Sequence, residues 1–175
     1  MRARFVASVA LGFLVAGSPL SATLARAAEV GDCAGQINAV VIQVDAHRLS
    51  LCRDGHSEQS FAVSLGSGGI DKQKEGDHRT PIGVFALGAP RPSKEFLIFI
   101  PVGYPNAEQR RAGYTGGDIG IHGPKKPWRW LGRLANWKDW TRGCIALNSE
   151  DGIREVAAWV EKNRTARVEI VRAPR

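Results

Sequence analysis

This sequence predicts a single mainly-β domain, a sandwich or barrel of short strands with one core-packed helix close to its end. Three observations carry the prediction. At least six short segments are apolar or alternate apolar with polar residues, bounded by Gly, Pro, Asn or Asp. Only one convincing stretch, around Ile153 to Val160, repeats apolar residues at the helical period. No internal repeat and no low-complexity tract interrupts the pattern.

At the start, Arg2 and Arg4 precede an apolar run from Phe5 to Val15, and Ala25-Arg26-Ala27 stands before Ala28. A charged start, a short apolar middle and an A-x-A site read as a secretory signal peptide over 1–27, with the domain at 28–175. The apolar run is shorter than the ~20 residues a spanning helix needs, which disfavours an uncleaved anchor. Loss of Arg2, Arg4 and Arg26 lowers the formal charge from +7 to +4. A modestly basic, exported domain suits an anionic polymer such as a cell wall. Export makes nucleic acid a poor partner, and no stable membrane insertion is expected after processing.

Residues 39–44 (Ala-Val-Val-Ile-Gln-Val) read as a strand, 45–48 as a turn and 49–53 as the return. Asp54-Gly55 is a strong hairpin signal, and Phe61, Val63 and Leu65 alternate in a strand over 60–65. The domain therefore opens as a β-meander. A polar, glycine-containing loop over 66–79 leads to a strand at 80–87. The apolar segment 96–102 predicts a buried strand, closed by Tyr104-Pro105-Asn106, and 107–112 suits a short polar helix. Gly116-Gly117-Asp118 introduces a brief strand over 119–122. The connection 124–140 carries Trp128, Trp130, Trp137 and Trp140, and segments of that length usually serve as lids or binding loops. Asn148 or Ser149 caps the helix, Ile153, Val156, Ala157 and Val160 form its apolar stripe, and it ends near Asn163. A last strand occupies 167–171.

Chemistry concentrates in two runs, Ile121-His122-Gly123 and Thr141-Arg142-Gly143-Cys144-Ile145. A thiol reacts as thiolate and needs a base within hydrogen-bond reach. His122 is the best base candidate for Cys144, and since no acid lies beside it, the Gly123 carbonyl is the economical group to orient its ring. Gly143 can adopt a turn closed to other residues, aiming the amides of Gly143 and Cys144 at a developing oxyanion. The pair points to acyl transfer through a thioester. The competing reading is coincidence, since one His and one Cys at this spacing mean little alone.

Three cysteines remain after residue 27, and in an oxidising compartment an odd count leaves one thiol over. A Cys33–Cys52 disulfide would leave Cys144 free; two buried, inert cysteines are the alternative. No CxxC, no HExxH and no second nearby histidine accompanies the pair, so neither metal nor organic cofactor is expected. Ser64-Leu65-Gly66-Ser67-Gly68 does not fit a GxSxG elbow, and Gly66-Ser67-Gly68-Gly69 lacks the Lys-Ser or Lys-Thr of a phosphate loop.

Four longer runs carry a family resemblance: Asp71 to Gly83 (DKQKEGDHRTPIG), Gly103-Tyr104-Pro105-Asn106, Gly116 to Gly123 (GGDIGIHG) and Asp139 to Leu147 (DWTRGCIAL). With these the chain resembles the L,D-transpeptidase catalytic domain, the YkuD-like family, over nearly all of residues 28–175. The Trp-Thr-x-Gly-Cys-Ile-Ala run looks most like the periplasmic YafK-like subgroup. The resemblance implies a β-sandwich of mixed sheets with its main helix after a catalytic Cys144, and His122 as general base. It implies attack on the diaminopimelate carbonyl of a peptidoglycan stem tetrapeptide, release of D-alanine, and transfer of the acyl group to an amine. That amine is a neighbouring stem (a 3–3 cross-link) or a lysine of an outer-membrane lipoprotein. Water as acceptor would make the same residues a hydrolase, an L,D-carboxypeptidase or an enzyme cleaving the lipoprotein–peptidoglycan link.

Thr141 matches the family's Ser/Thr position. Many members carry His where this chain has Arg142, and Arg where it has Ala146, so Arg142 becomes the candidate contact for a substrate carboxylate. Tyr104, Trp140 and Asp118 are further substrate-side candidates, with Asp77, Arg79 and Asp118 as a polar network or simply a solvated loop. His47, His56 and His78 read as surface residues. The expected location is the periplasm. A non-catalytic wall-binding domain is the rival class, and it would have no need of an activated thiol.

Overall fold

The computed structural model describes residues 33–125 and 138–172. The leader and Trp128, Trp130 and Trp137 lie outside the described residues.

The chain opens with three antiparallel strands, β1 (Asn38–Gln43), β2 (Arg48–Arg53) and β3 (His56–Ser64). Their register runs from Asn38↔Arg53 to Gln43↔Arg48 and from Arg48↔Ala62 to Arg53↔His56, with an irregularity at Leu51/Cys52. Asp54 and Gly55 join β2 to β3 with φ of 49° and 80°. Positive φ at both central residues matches the right-handed twist of the flanking strands. The third strand starts at His56 rather than at 60, because its first half is exposed on both faces and shows no alternation.

β4 (Gly83–Ala86) follows the 66–82 loop, and β5 (Arg91–Ser93) and β6 (Leu97–Pro101) form the next hairpin. β5 was not expected from the sequence; it is an edge strand, where Pro92 need donate nothing to a ladder. β6 is less buried than its composition suggests, with Ile100 buried but Leu97, Ile98 and Phe99 only half-buried. The short helix α1 (Ala107–Arg111) starts at Asn106, which exchanges capping bonds with Gln109. β7 (Gly120–His122) and β8 (Ile145–Leu147) precede the long helix α2 (Glu150–Asn163) and the last strand β9 (Arg167–Val171). Of the two cap candidates Ser149 acts, its hydroxyl accepting the Gly152 N–H at 3.0 Å. Trp159 widens the buried stripe of α2 beyond the residues read from periodicity.

The nine strands of the described residues form one mixed sheet in the order β4-β9-β1-β2-β3-β8-β7-β6-β5. β1 pairs with β9 and β7 with β8 in parallel; the other pairs are antiparallel. β3 joins the halves: residues through Ala62 pair with β2, while Val63 and Ser64 pair with Leu147 and Ala146 of β8. The sheet curls so that Val40, Ile42, Leu49 and Leu51 from one half share a cluster with Ile100, Ile121 and Ile145 from the other. Ile153, Val156 and Val160 of α2 complete it. Each such side chain contributes about 1.5–3 kcal/mol by leaving water. Alternate residues of β1, Ala39 and Val41, face a second small cluster with Cys33 and Cys52. These two cysteines are disulfide-bonded, with Cα atoms 5.3 Å apart. Among the described residues no helix is long and apolar enough to cross a membrane.

Candidate active site

The central parallel pair sets the geometry. Ile121 stands opposite Ile145, and both turn into the core. Alternation sends the next row to the other face: Phe99, His122, Ala146 and Ser64 lie side by side across four strands. Cys144 comes one residue before β8, so the same alternation makes it a diagonal neighbour of His122 on that face. The nucleophile and base candidates, distant in sequence, are thus brought together by strand pairing.

Segment 138–141 is laced along the end of β3. The Leu65 N–H donates to the Asp139 carboxylate at 2.7 Å, and the Ser64 hydroxyl donates to the Lys138 carbonyl at 3.3 Å. The Thr141 N–H donates to Leu65 O at 3.1 Å, and the Ser67 N–H to Thr141 O at 2.9 Å. From this fixed point the Thr141 hydroxyl accepts the Gly143 N–H at 3.1 Å and donates to the Cys144 carbonyl at 2.7 Å. Gly143 has φ of 117°, and a Cβ there would lie 2.5 Å from the Arg79 carbonyl oxygen. Backbone conformation and space both require glycine. One expectation is corrected here: the Gly143 amide is engaged by Thr141 and is not aimed at an oxyanion.

Cys144 is the free cysteine and is partly exposed, its Sγ 3.4 Å from the Asp118 carbonyl oxygen. Burial pushes its thiol pKa up. The Gly120 N–H pulls it down, the Asp118 charge pushes it up, and the Lys72 charge pulls it down. His122 is 1% exposed, and its Nδ1 lies 2.7 Å from the Gly123 carbonyl oxygen. A carbonyl only accepts, so the proton sits on Nδ1 and the Nε2 lone pair is the basic site. Burial holds the imidazole pKa down to about 4, against the upward pull of the Gly123 carbonyl and with a further downward push from Lys125. Both groups rest neutral at pH 7.

The remaining candidates separate. Trp140 meets the His122 ring edge-on with centroids 5.8 Å apart. Arg142 and Asp118 are exposed, and the Asp118 carbonyl is the one that meets the thiol. Tyr104 is redirected from substrate to scaffold: it is 6% exposed and packs edge-on against Phe85. Its hydroxyl is shared between the carbonyls of Lys72 (3.0 Å) and Thr115 (3.4 Å). The Asp77–Arg79–Asp118 network is also revised. Asp77 instead takes the buried Lys72 ammonium at 2.8 Å and the backbone N–H groups of Gln73, Lys74 and Arg79. The Arg79 side chain turns to the Ile70 carbonyl. His47, His56 and His78 are exposed.

Sequence reasoning missed Lys72, 3% exposed, and the aromatic side chains around His122. Phe96 stacks on that ring at 3.9 Å and Phe99 lies 6.4 Å away, nearly parallel. A lysine among six charged residues in 71–79 carries no sign of burial, and the phenylalanines read as core residues. Among the described residues no cluster of His, Cys, Asp and Glu is arranged to hold a metal.

The mainly-β sheet carries a buried neutral imidazole on β7 and a free thiol one residue before its parallel neighbour β8, the two kinds of group that thiol acyl transfer uses. Residues 37–170 match the model of the YkuD family, the L,D-transpeptidase catalytic domain, and the chain belongs to that family. It is 34% identical over 67 residues to "Putative L,D-transpeptidase YafK" of Escherichia coli (strain K12), covering 37% of this chain and 27% of that protein. In fold it is similar to the helical cell shape determining protein Pgp2 of Campylobacter jejuni. That match has a TM-score of 0.65 at 23% identity, over 84% of this chain and 54% of the other. Bd1075 of Bdellovibrio bacteriovorus matches with a TM-score of 0.59 at 18% identity, over 83% and 54%. The chain thus spans about half the length of these structures and about a quarter of YafK.

Proposed function

We propose that this protein is a periplasmic peptidoglycan L,D-transpeptidase with Cys144 as nucleophile and His122 as general base. The observation that supports it most is the parallel register of β7 and β8, which puts the free Cys144 one residue before the strand beside His122, whose Nδ1–H is tied to Gly123 and whose Nε2 is left basic. Because thiol and imidazole rest neutral, the proton moves as the bond forms rather than before it. Sγ attacks the diaminopimelate carbonyl while Nε2 takes the thiol proton. The tetrahedral oxyanion collapses, the C–N bond breaks, and the imidazolium returns the proton to the departing D-alanine amine. An acceptor amine then attacks the thioester, gives its proton to Nε2, and releases the thiolate to be reprotonated. With the Gly143 amide committed to Thr141, the oxyanion donor in this reading is the Cys144 amide. In this reading Arg142, exposed and two residues from Cys144 in sequence, meets a substrate carboxylate, with Trp140 walling the imidazole side.

Export through a leader over 1–27 belongs to this proposal and is supported by the Cys33–Cys52 disulfide, a bond of oxidising compartments. The cell-shape role of Pgp2, to which the chain is similar in fold, supports a wall substrate. The test is intact mass after incubation with a diaminopimelate tetrapeptide muropeptide, with and without an amine acceptor. A Cys144-dependent adduct passing to the amine as a 3–3 dimer is expected, and Cys144→Ala should abolish it without unfolding the chain. Tripeptide or released lipoprotein peptide without dimers would make the enzyme a hydrolase. No adduct and no product would favour a wall-binding domain.

A further inference from the structure

The backbone between β5 and β6 carries a strained residue beside the imidazole. Leu97 has φ of 70°, and the Ile98 N–H donates to the Phe96 carbonyl at 2.8 Å, two residues back. That bond around a residue of positive φ defines a γ-turn of the rare, strained kind, unfavourable for a side chain such as leucine. Strain of this sort persists where the surrounding structure enforces it, and it collects at functional sites. Here the turn presents Phe96 to the site in two ways. Its ring stacks on His122 with centroids 3.9 Å apart and planes inclined by 25°. Its carbonyl oxygen lies 2.8 Å from where a Cβ on Gly123 would stand, against the residue whose own carbonyl holds Nδ1 of His122. The Ser93 hydroxyl accepts the Phe96 N–H at 3.2 Å and anchors the turn from β5.

From this geometry we infer that Phe96 is a positioning residue for the general base: the γ-turn at Leu97 exists to seat its ring on His122 and its backbone against Gly123. The ring plane of His122 and its Nδ1 partner are then fixed by one segment. Phe99, directly across the strand pair, lies on the same face, and Trp140 meets the ring edge-on. The charged group that acts on the imidazole is Lys125, paired with Glu95 on the β5–β6 turn and lying over the Trp140 ring, and the Cys144 thiol comes from the residue before the neighbouring strand. None replaces the stacking. The inference rests on the reading of His122 as general base, and it adds a residue that acts through the imidazole.

The experiment follows the His122 ring by NMR titration, and the pH profile of acylation, in Phe96→Ala, Phe96→Leu and Phe96→Tyr. Phe96→Ala should open one face to water and move the imidazole midpoint up from about 4 towards 6.5, carrying the acid limb of kcat/KM with it. Phe96→Leu should keep the ring covered but slow acylation roughly 10–100-fold at little change in KM, since orientation is lost. Phe96→Tyr should restore both. Folded Ala and Leu variants that match the parent in midpoint and rate overturn the inference. If Ala does not fold, Leu at parental rate overturns it alone. Should the parent form no adduct with the muropeptide, the transpeptidase reading fails, while the imidazole midpoints of the three variants still decide the role of Phe96.

Discussion

The Thr141 hydroxyl donates to the carbonyl oxygen of Cys144 at 2.7 Å, so the residue proposed as nucleophile is clamped by a neighbour three positions upstream. The Thr141 hydroxyl oxygen in turn accepts the Gly143 N–H, which makes Thr141 the fastening of a turn that glycine alone can adopt.

Thr141→Val should therefore strand two polar backbone groups. The expected loss is about 1–3 kcal/mol of stability, with acylation slower by roughly 10–100-fold as the thiol drifts. Thr141→Ser should keep most of both, as read by urea unfolding and single-turnover acylation.

The buried imidazole sets an acid limb. With the His122 pKa at about 4 in the folded chain, activity should persist through pH 5 and fall as pH drops through about 4. For stability, the depressed value means that the unfolded chain binds its proton first, from about 6.5 downward. Stability from burying neutral His122 is complete above that pH and is lost progressively towards pH 4, by a few kcal/mol. His122→Ala should abolish this part of the pH dependence and slow acylation by about 10²–10⁴-fold. An unchanged rate would place the base elsewhere.

Lys72 and Asp77 form a nearly buried ion pair under the loop that leads to the site. Burial alone would raise the Asp77 pKa, but the Lys72 ammonium and the amides of Lys74, Gln73 and Arg79 hold it far below the ordinary carboxylate range. Its stabilising effect is present above pH ~4 and is lost as pH falls further. Lys72→Met should cost about 3–5 kcal/mol by leaving a carboxylate with its counter-ion removed. Lys72→Met/Asp77→Asn should cost less than the two single changes added, in a double-mutant cycle by urea unfolding.

Reduction of Cys33–Cys52, which closes a separation of 19 residues, should lower stability by about 3 kcal/mol. Labelling of the denatured, unreduced chain should find one thiol, Cys144. Two or three would refute the bridge.

Much of the scaffold was legible because local signals agreed. The meander announced itself through Asp54-Gly55 and the alternation of Phe61, Val63 and Leu65, and α2 through its cap and stripe. What escaped was set by distant partners. β8 is three residues long and reads as a motif until β3 and β7 flank it. The orientation of Tyr104 depends on carbonyls at 72 and 115, which no local pattern reveals. The Gly143 amide looked free because a threonine hydroxyl two residues away leaves no periodic trace. The glycines at 123 and 143 were visible as permissive positions, but the Phe96 and Arg79 carbonyls crowding them became visible only in three dimensions.

The order of the strands has a temporal consequence. The two edges of the sheet, β4 and β5, come from the middle of the chain, whereas β8 and β9, nearly its last segments, slot between strands laid down earlier. A polypeptide made from its N-terminus leaves the gap between β3 and β7 open until residue 147 and that between β4 and β1 open until residue 171, and long-range closure of this kind is slow. The thiol and imidazole become neighbours only when the gap between β3 and β7 is filled. Under the proposed mechanism assembly itself would therefore act as a safety catch: a nascent or truncated chain carries an ordinary cysteine, and reactivity would arrive with the finished sheet.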